Sequence, residues 1–161
     1  MIRKTDISET GDTSKTLAGM TVEQNNLLFE AILEKAAEQL GDINPLVLEK
    51  FYALHPEAVG LFPERRLELM MIDQALYCVS VWLQRPMEID ILLRETVDHH
   101  GNCLRVPVKQ FAGLFESLVA TLREVVPAAD LVSFAVLDSI NHDLQALVLE
   151  AGAHLRNLPP S

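Results

Sequence analysis

Residues 89–102 read IDILLRETVDHHGN, an amphipathic helix that runs out on a histidine. Ile89, Leu93 and Val97 recur at helical spacing, and His100 continues the same apolar stripe. Gly101 and Asn102 follow at once, residue types that end helices. An imidazole is thereby aimed at the interior. A neutral imidazole nitrogen is among the commonest metal ligands in proteins, and a buried one without a metal must be satisfied by backbone or by a carboxylate such as Asp98. His99 points about 100° away around the helix, so the pair does not chelate one ion, and His99 takes the role only if the stripe is read one residue out of register.

The pattern continues on both sides. Pro107 opens a long helix with Val108, Phe111, Phe115, Leu118, Leu122 and Val125 inward, and Pro127 divides it from a last helix carrying Val132, Val136, Ile140, Leu144, Leu147, Ala151 and Leu155. Towards the N-terminus, Thr21 and Gln24 have the form of a capping box opening a helix to about Leu40, with Leu28, Ile32 and Leu40 inward and Gly41 as its stop. Asn44-Pro45 opens the next, through Leu48, Phe51 and Tyr52, until Pro56 forces a break or a fresh short turn. A third long helix is expected from about Pro63 to Leu83, with Leu69, Ile72, Leu76, Val79 and Leu83 in register, Trp82 beside its end and Pro86 at the exit. Strand alternation and paired turn dipeptides are lacking in the sequence, which predicts an all-α fold.

A chain of 161 residues with 49% apolar content fits one domain with a real core, residues 20–157, behind a flexible polar tail at 1–19. The formal charge of -10 opposes binding to nucleic acid and to anionic membrane surfaces. No apolar run reaches the length of a membrane span, and the polar N-terminus lacks a secretory signal, so the cytoplasm is the simplest compartment. Cys78, in an apolar helical run, and Cys103, in a turn, read as reduced thiols. His55, His142 and His154 read as helix-end or surface residues. No carboxylate pair for acid and base chemistry, no glycine-rich phosphate loop or dinucleotide fingerprint, and no cysteine paired with histidine stands out.

Several stretches in one order resemble the globin family. Residues 48–62, LEKFYALHPEAVGLF, are similar to the globin B and C helices, where a proline is followed six residues later by a haem-stacking phenylalanine; here these are Pro56 and Phe62. Residues 100–107, HGNCLRVP, resemble the end of the F helix, its corner and the start of G, which puts His100 at the proximal, iron-binding position. Residues 111–122, FAGLFESLVATL, resemble helix G, and the long final helix suits H. The likeness covers roughly residues 21–155 in matching helix order and implies a globin-like fold of about seven helices around a haem pocket.

The resemblance further implies haem b as cofactor, iron ligation by His100, and a surround including Phe62, Val97, Val106 and Phe111, with Thr96 one turn back as carbonyl acceptor for the second ring nitrogen. Leu48 falls where many bacterial relatives carry a ligand-facing tyrosine. The distal position falls on Glu68 or, with a small gap, on Arg65, with Met70 and Met71 close by and no histidine in that helix. Arg105 is placed to pair with a propionate. The implied activity is reversible binding of oxygen or another diatomic gas, for storage, sensing or nitric oxide turnover with an external reductase, with a homodimer as an option. The reading from a different class is a haem-free globin-fold regulatory or interaction module.

Overall fold

The computed structural model describes residues 19–100 and 106–156. The architecture is all-α: α1 (Val22–Leu40), α2 (Asn44–Leu54), a 3-10 turn (Pro56–Ala58), α3 (Arg65–Trp82), α4 (Pro86–His99), α5 (Val108–Arg123) and α6 (Leu131–Arg156). That makes six α-helices among the described residues, where about seven helices were expected. The stretch after Pro56 closes only the 3-10 turn, because Val59 leaves it with extended backbone and Gly60 then takes a φ of 85°. A left-handed residue of that kind ends a helix.

The local signals explain most boundaries. Thr21 Oγ1 accepts from the Gln24 N–H at 3.1 Å, and the Gln24 side chain accepts from the Thr21 N–H at 2.9 Å, so both arms of the capping box form. Pro45 and Pro86 sit in the first turns of α2 and α4, where a missing N–H leaves no helical bond unmade. The third helix begins at Arg65, two residues beyond the expected Pro63.

Packing corrects some of the expected inward positions. In α1, Phe29, Ile32 and Ala36 are buried, while Leu28 and Leu40 are half-buried against the core edge. In α3, Ile72 and Val79 are buried as the spacing requires, but Leu69, Leu76 and Leu83 are half-buried and Ala75, Cys78 and Val81 take the interior. In α6, Val132 is exposed and the interior belongs to Val136, Leu137, Ile140, Leu144, Leu147, Val148 and Ala151. The expectations for the tail at 1–18, for Gly101, Asn102, Cys103 and Arg105, and for the side chain of Leu155 lie outside the described residues.

Helix α5 is the hub. It packs along α6, across α2 and against α3, while α4 and α1 lie on other parts of α6. Close approach of α5 and α6 depends on Gly152, where a Cβ would collide with the Val108 side chain. A similar economy holds at Gly113, whose bare backbone seats the imidazole of His55, the residue that ends α2. No helix among the described residues is long and apolar enough to cross a membrane.

Candidate functional site

Between α2, α3, α4 and the first half of α5 the helices leave a cavity of about 410 Å³. Its size lies within the range of small-molecule and cofactor sites, about 300–1,000 Å³. The segment Leu61–Phe62–Pro63 closes one side, and Phe51 of α2 forms part of the floor. Helix α3 contributes Leu67, Met70, Met71, Gln74, Ala75 and Cys78. The facing wall is Leu93, Thr96 and His100 at the end of α4, with Val106 and then Gln110, Phe111, Leu114 and Phe115 of α5. Apolar side chains dominate, and the wall's described residues include no lysine, arginine, aspartate or glutamate.

His100 is fixed on two sides. Its Nδ1 donates to the Thr96 carbonyl at 2.8 Å, one turn back in the same helix. The Phe111 ring meets it edge-on, with centroids 5.2 Å apart and planes at 83°. In the neutral ring the Nδ1 donation leaves Nε2 with a lone pair, and a carbonyl on the far nitrogen is the arrangement that orients and strengthens an imidazole ligand. The stripe of α4 explains the placement: Ile89, Leu93 and Val97 bury one face, and the His100 carbonyl accepts from the Val106 N–H at 3.1 Å, tying Val106 to the helix end.

Four residues expected around the site, His100, Phe62, Val106 and Phe111, are brought together on the cavity wall. Val97 and Leu48 are not part of that wall; both are buried in the core. His99 is exposed and its ring stands perpendicular to that of His100, 5.6 Å away between centroids. Neither Arg65 nor Glu68 lines the cavity. Glu68 accepts from the Tyr52 hydroxyl at 2.7 Å, which straps α2 to α3, and pairs with Arg65 at 3.4 Å within α3. Burial and that acceptor push the Tyr52 phenol up to about 12.

Gln74 and Gln110 carried no sequence signal of their own, whereas Thr96 is the acceptor expected for His100. Gln74 Nε2 donates to Thr96 Oγ1 at 3.4 Å, and Thr96 Oγ1 donates to the Leu92 carbonyl at 2.7 Å, so Thr96 links α3, its own helix and His100. Burial pushes the Cys78 thiol up to about 11, which keeps it protonated near neutral pH. Gln110 is only 5% exposed, and its Oε1 has no hydrogen-bond partner among the described residues. A buried acceptor left in that state costs about 1–3 kcal/mol. In sequence a glutamine in the first turn of a helix looks solvent-facing, and only the packing reveals it as part of a wall.

Chemically, the site is an apolar chamber with one oriented imidazole and a few neutral polar groups. No family model, no curated protein and no solved structure matches this chain.

Proposed function

We propose that the chain binds haem b in this cavity, where Nε2 of His100 would hold the iron, and that it binds a diatomic gas such as oxygen, as a globin does. The observation that carries the reading is the oriented imidazole on an apolar wall, its Nδ1 committed to the Thr96 carbonyl. A lone imidazole also narrows the choice of metal. Among the described residues no cluster of three or more histidine, cysteine or carboxylate side chains could hold an ion. A metal held by His100 with no further ligand among the described residues would bring its other ligands with it, and a metalloporphyrin is a group that does so.

When bound, haem iron supplies a coordination position open to a small gas. The chain supplies the rest. Thr96 holds the imidazole in one tautomer, and Phe111 restricts its rotation by edge contact. Phe62 offers a flat apolar face, while Leu67, Met71 and Ala75 on α3 exclude water from the far side. These α3 side chains offer a gas no ring N–H or hydroxyl, so the arrangement favours binding over turnover. Oxidation of nitric oxide would draw its electrons from an external reductase. The helix order and the packing of α5 against α2 and α6, with α4 and α1 on α6, support the globin-type reading of the fold.

Titrating hemin into the purified chain tests this. Saturation at one equivalent with a sharp Soret band is expected, abolished or strongly shifted by His100→Ala and unchanged by His99→Ala. A wild-type chain that leaves hemin free, or two variants that both keep the wild-type spectrum, would contradict it.

A further inference from the structure

We infer that Gln74 and Thr96 form a latch across the mouth of the cavity, and that the occupant enters by parting α3 from α4 at this pair. The inference concerns how the cavity is reached, so it stands whether or not haem is the group that fills it.

Exposure around the wall locates the mouth. Phe51 of α2, Leu114 and Phe115 of α5, and Ala75 and Cys78 on the inner side of α3 are buried, which seals the floor and the back. The wall residues that reach solvent are Leu61 and Pro63 at the corner and Met70 and Gln74 on α3, while Thr96 and His100 of α4 are half-buried. The opening therefore follows the seam between α3 and α4. Across that seam Gln74 Nε2 donates to Thr96 Oγ1 at 3.4 Å. Two side chains in contact leave no gap between them, so whatever passes there has to separate them.

The surroundings allow the helices to part. Three residues, 83–85, join α3 to α4, and Tyr77 Oη donates to Glu88 at 2.6 Å, which holds the two helices together on the side of that joint. The Gln74–Thr96 bond lies farther from the joint, towards His100. The helices also rest on different supports, α3 on α2 and α5 and α4 mainly on α6. A short joint with a weak bond beyond it is the build of a gate. Thr96 keeps its place when Gln74 lets go, because its hydroxyl donates to the Leu92 carbonyl, and its own carbonyl accepts from His100 Nδ1 in either state. Opening thus breaks one neutral hydrogen bond at the surface and leaves the imidazole oriented.

The test follows uptake and loss of two probes by the full chain: hemin, and the neutral planar fluorophore aminoanthracene, whose emission rises in apolar surroundings. Uptake is read by stopped-flow mixing and loss by transfer to excess serum albumin. Gln74→Met, close in length and shape, and Thr96→Val, which keeps the backbone carbonyl, are each expected to speed both uptake and loss about two- to tenfold, the factor that one neutral hydrogen bond accounts for. A gate acts in both directions, so affinity changes less than either rate. The double variant is expected to be no faster than either single one, since both remove the same bond. Rates that stay at the wild-type value in Gln74→Met overturn the inference, as do effects that multiply in the double variant, or a faster loss with unchanged uptake, which would make Gln74 a mere wall contact. Acceleration by Pro63→Gly and not by Gln74→Met would put the entrance at the corner and overturn it too. Should the double variant not fold, Thr96→Ser is compared with Thr96→Val: slower exchange in the serine variant, which keeps the hydroxyl, supports the latch, and equal exchange overturns it. A chain that gates aminoanthracene but leaves hemin free removes the haem reading and keeps the latch, whereas one that takes up neither probe overturns the latch as well.

Discussion

Along α5, two halves of one helix settle their buried polar groups in opposite ways. In the C-terminal half, Ser117 Oγ donates to the Gly113 carbonyl at 2.8 Å and Thr121 Oγ1 to the Ser117 carbonyl at 2.9 Å, so each fully buried hydroxyl is satisfied one turn back. In the N-terminal half, Gln110 is nearly as buried, and its carboxamide oxygen has no partner among the described residues. The two short hydroxyls fold back on their own helix. One half settles its buried polar groups within the helix, and the other leaves a buried acceptor open among the described residues.

Removing packing from the C-terminal half is the most damaging way to probe that contrast. Leu118→Ala empties a fully buried position and is expected to lower unfolding free energy by about 2–5 kcal/mol in urea titrations. The residual folded protein should still take up hemin with the wild-type spectrum, since Leu118 is not on the cavity wall. A loss of binding without a loss of stability would blur the division between the halves.

Polar substitutions sharpen the same comparison by sign. Thr121→Val removes a satisfied hydroxyl and is expected to cost about 0.5–1.5 kcal/mol of stability. Gln110→Met removes an unsatisfied carboxamide oxygen and should leave the hemin-free chain equally stable or more stable by about 1 kcal/mol. Equal destabilisation by both, read from thermal or urea unfolding, would show that Gln110 is already satisfied in solution.

The smallest effect concerns the strap beside the cavity. The Tyr52 phenol is raised from 10.0 to about 12, so the folded chain holds that proton more tightly than the unfolded one. Its contribution is therefore complete below pH 10 and is lost as pH climbs from there to about 12. Tyr52→Phe should flatten stability over that alkaline window and leave hemin binding unaltered, because Tyr52 contacts Glu68 and does not line the cavity.

The same contrast decides what could be read in advance. The apolar stripes of α4 and α5, the capping box at Thr21 and the prolines that open α2 and α4 act locally, so the helices and the inward turn of His100 are legible from spacing. The count of helices was less so, because the turn after Pro56 depends on how Gly60 redirects the chain. On α3, a side chain that faces a cavity and one that faces the core are both apolar, and periodicity does not separate Met71 from Ile72. Arg65 and Glu68 suggested the distal wall by position, yet Glu68 accepts from the Tyr52 hydroxyl and Arg65 pairs with Glu68, and neither lines the cavity. Gln110 was hidden because its meaning lies in what surrounds it, which only the packing of α5 against α2 and α3 supplies.

The central claim is that the His100 imidazole itself holds the iron of a bound porphyrin. Its most direct test is to replace the side chain and give it back: His100→Gly, loaded with hemin, is titrated with free imidazole while the Soret band is followed. The account predicts that the variant alone lacks the wild-type spectrum and that imidazole restores it, with no comparable change in His99→Gly. A His100→Gly chain whose spectrum matches wild type before any imidazole is added would contradict it.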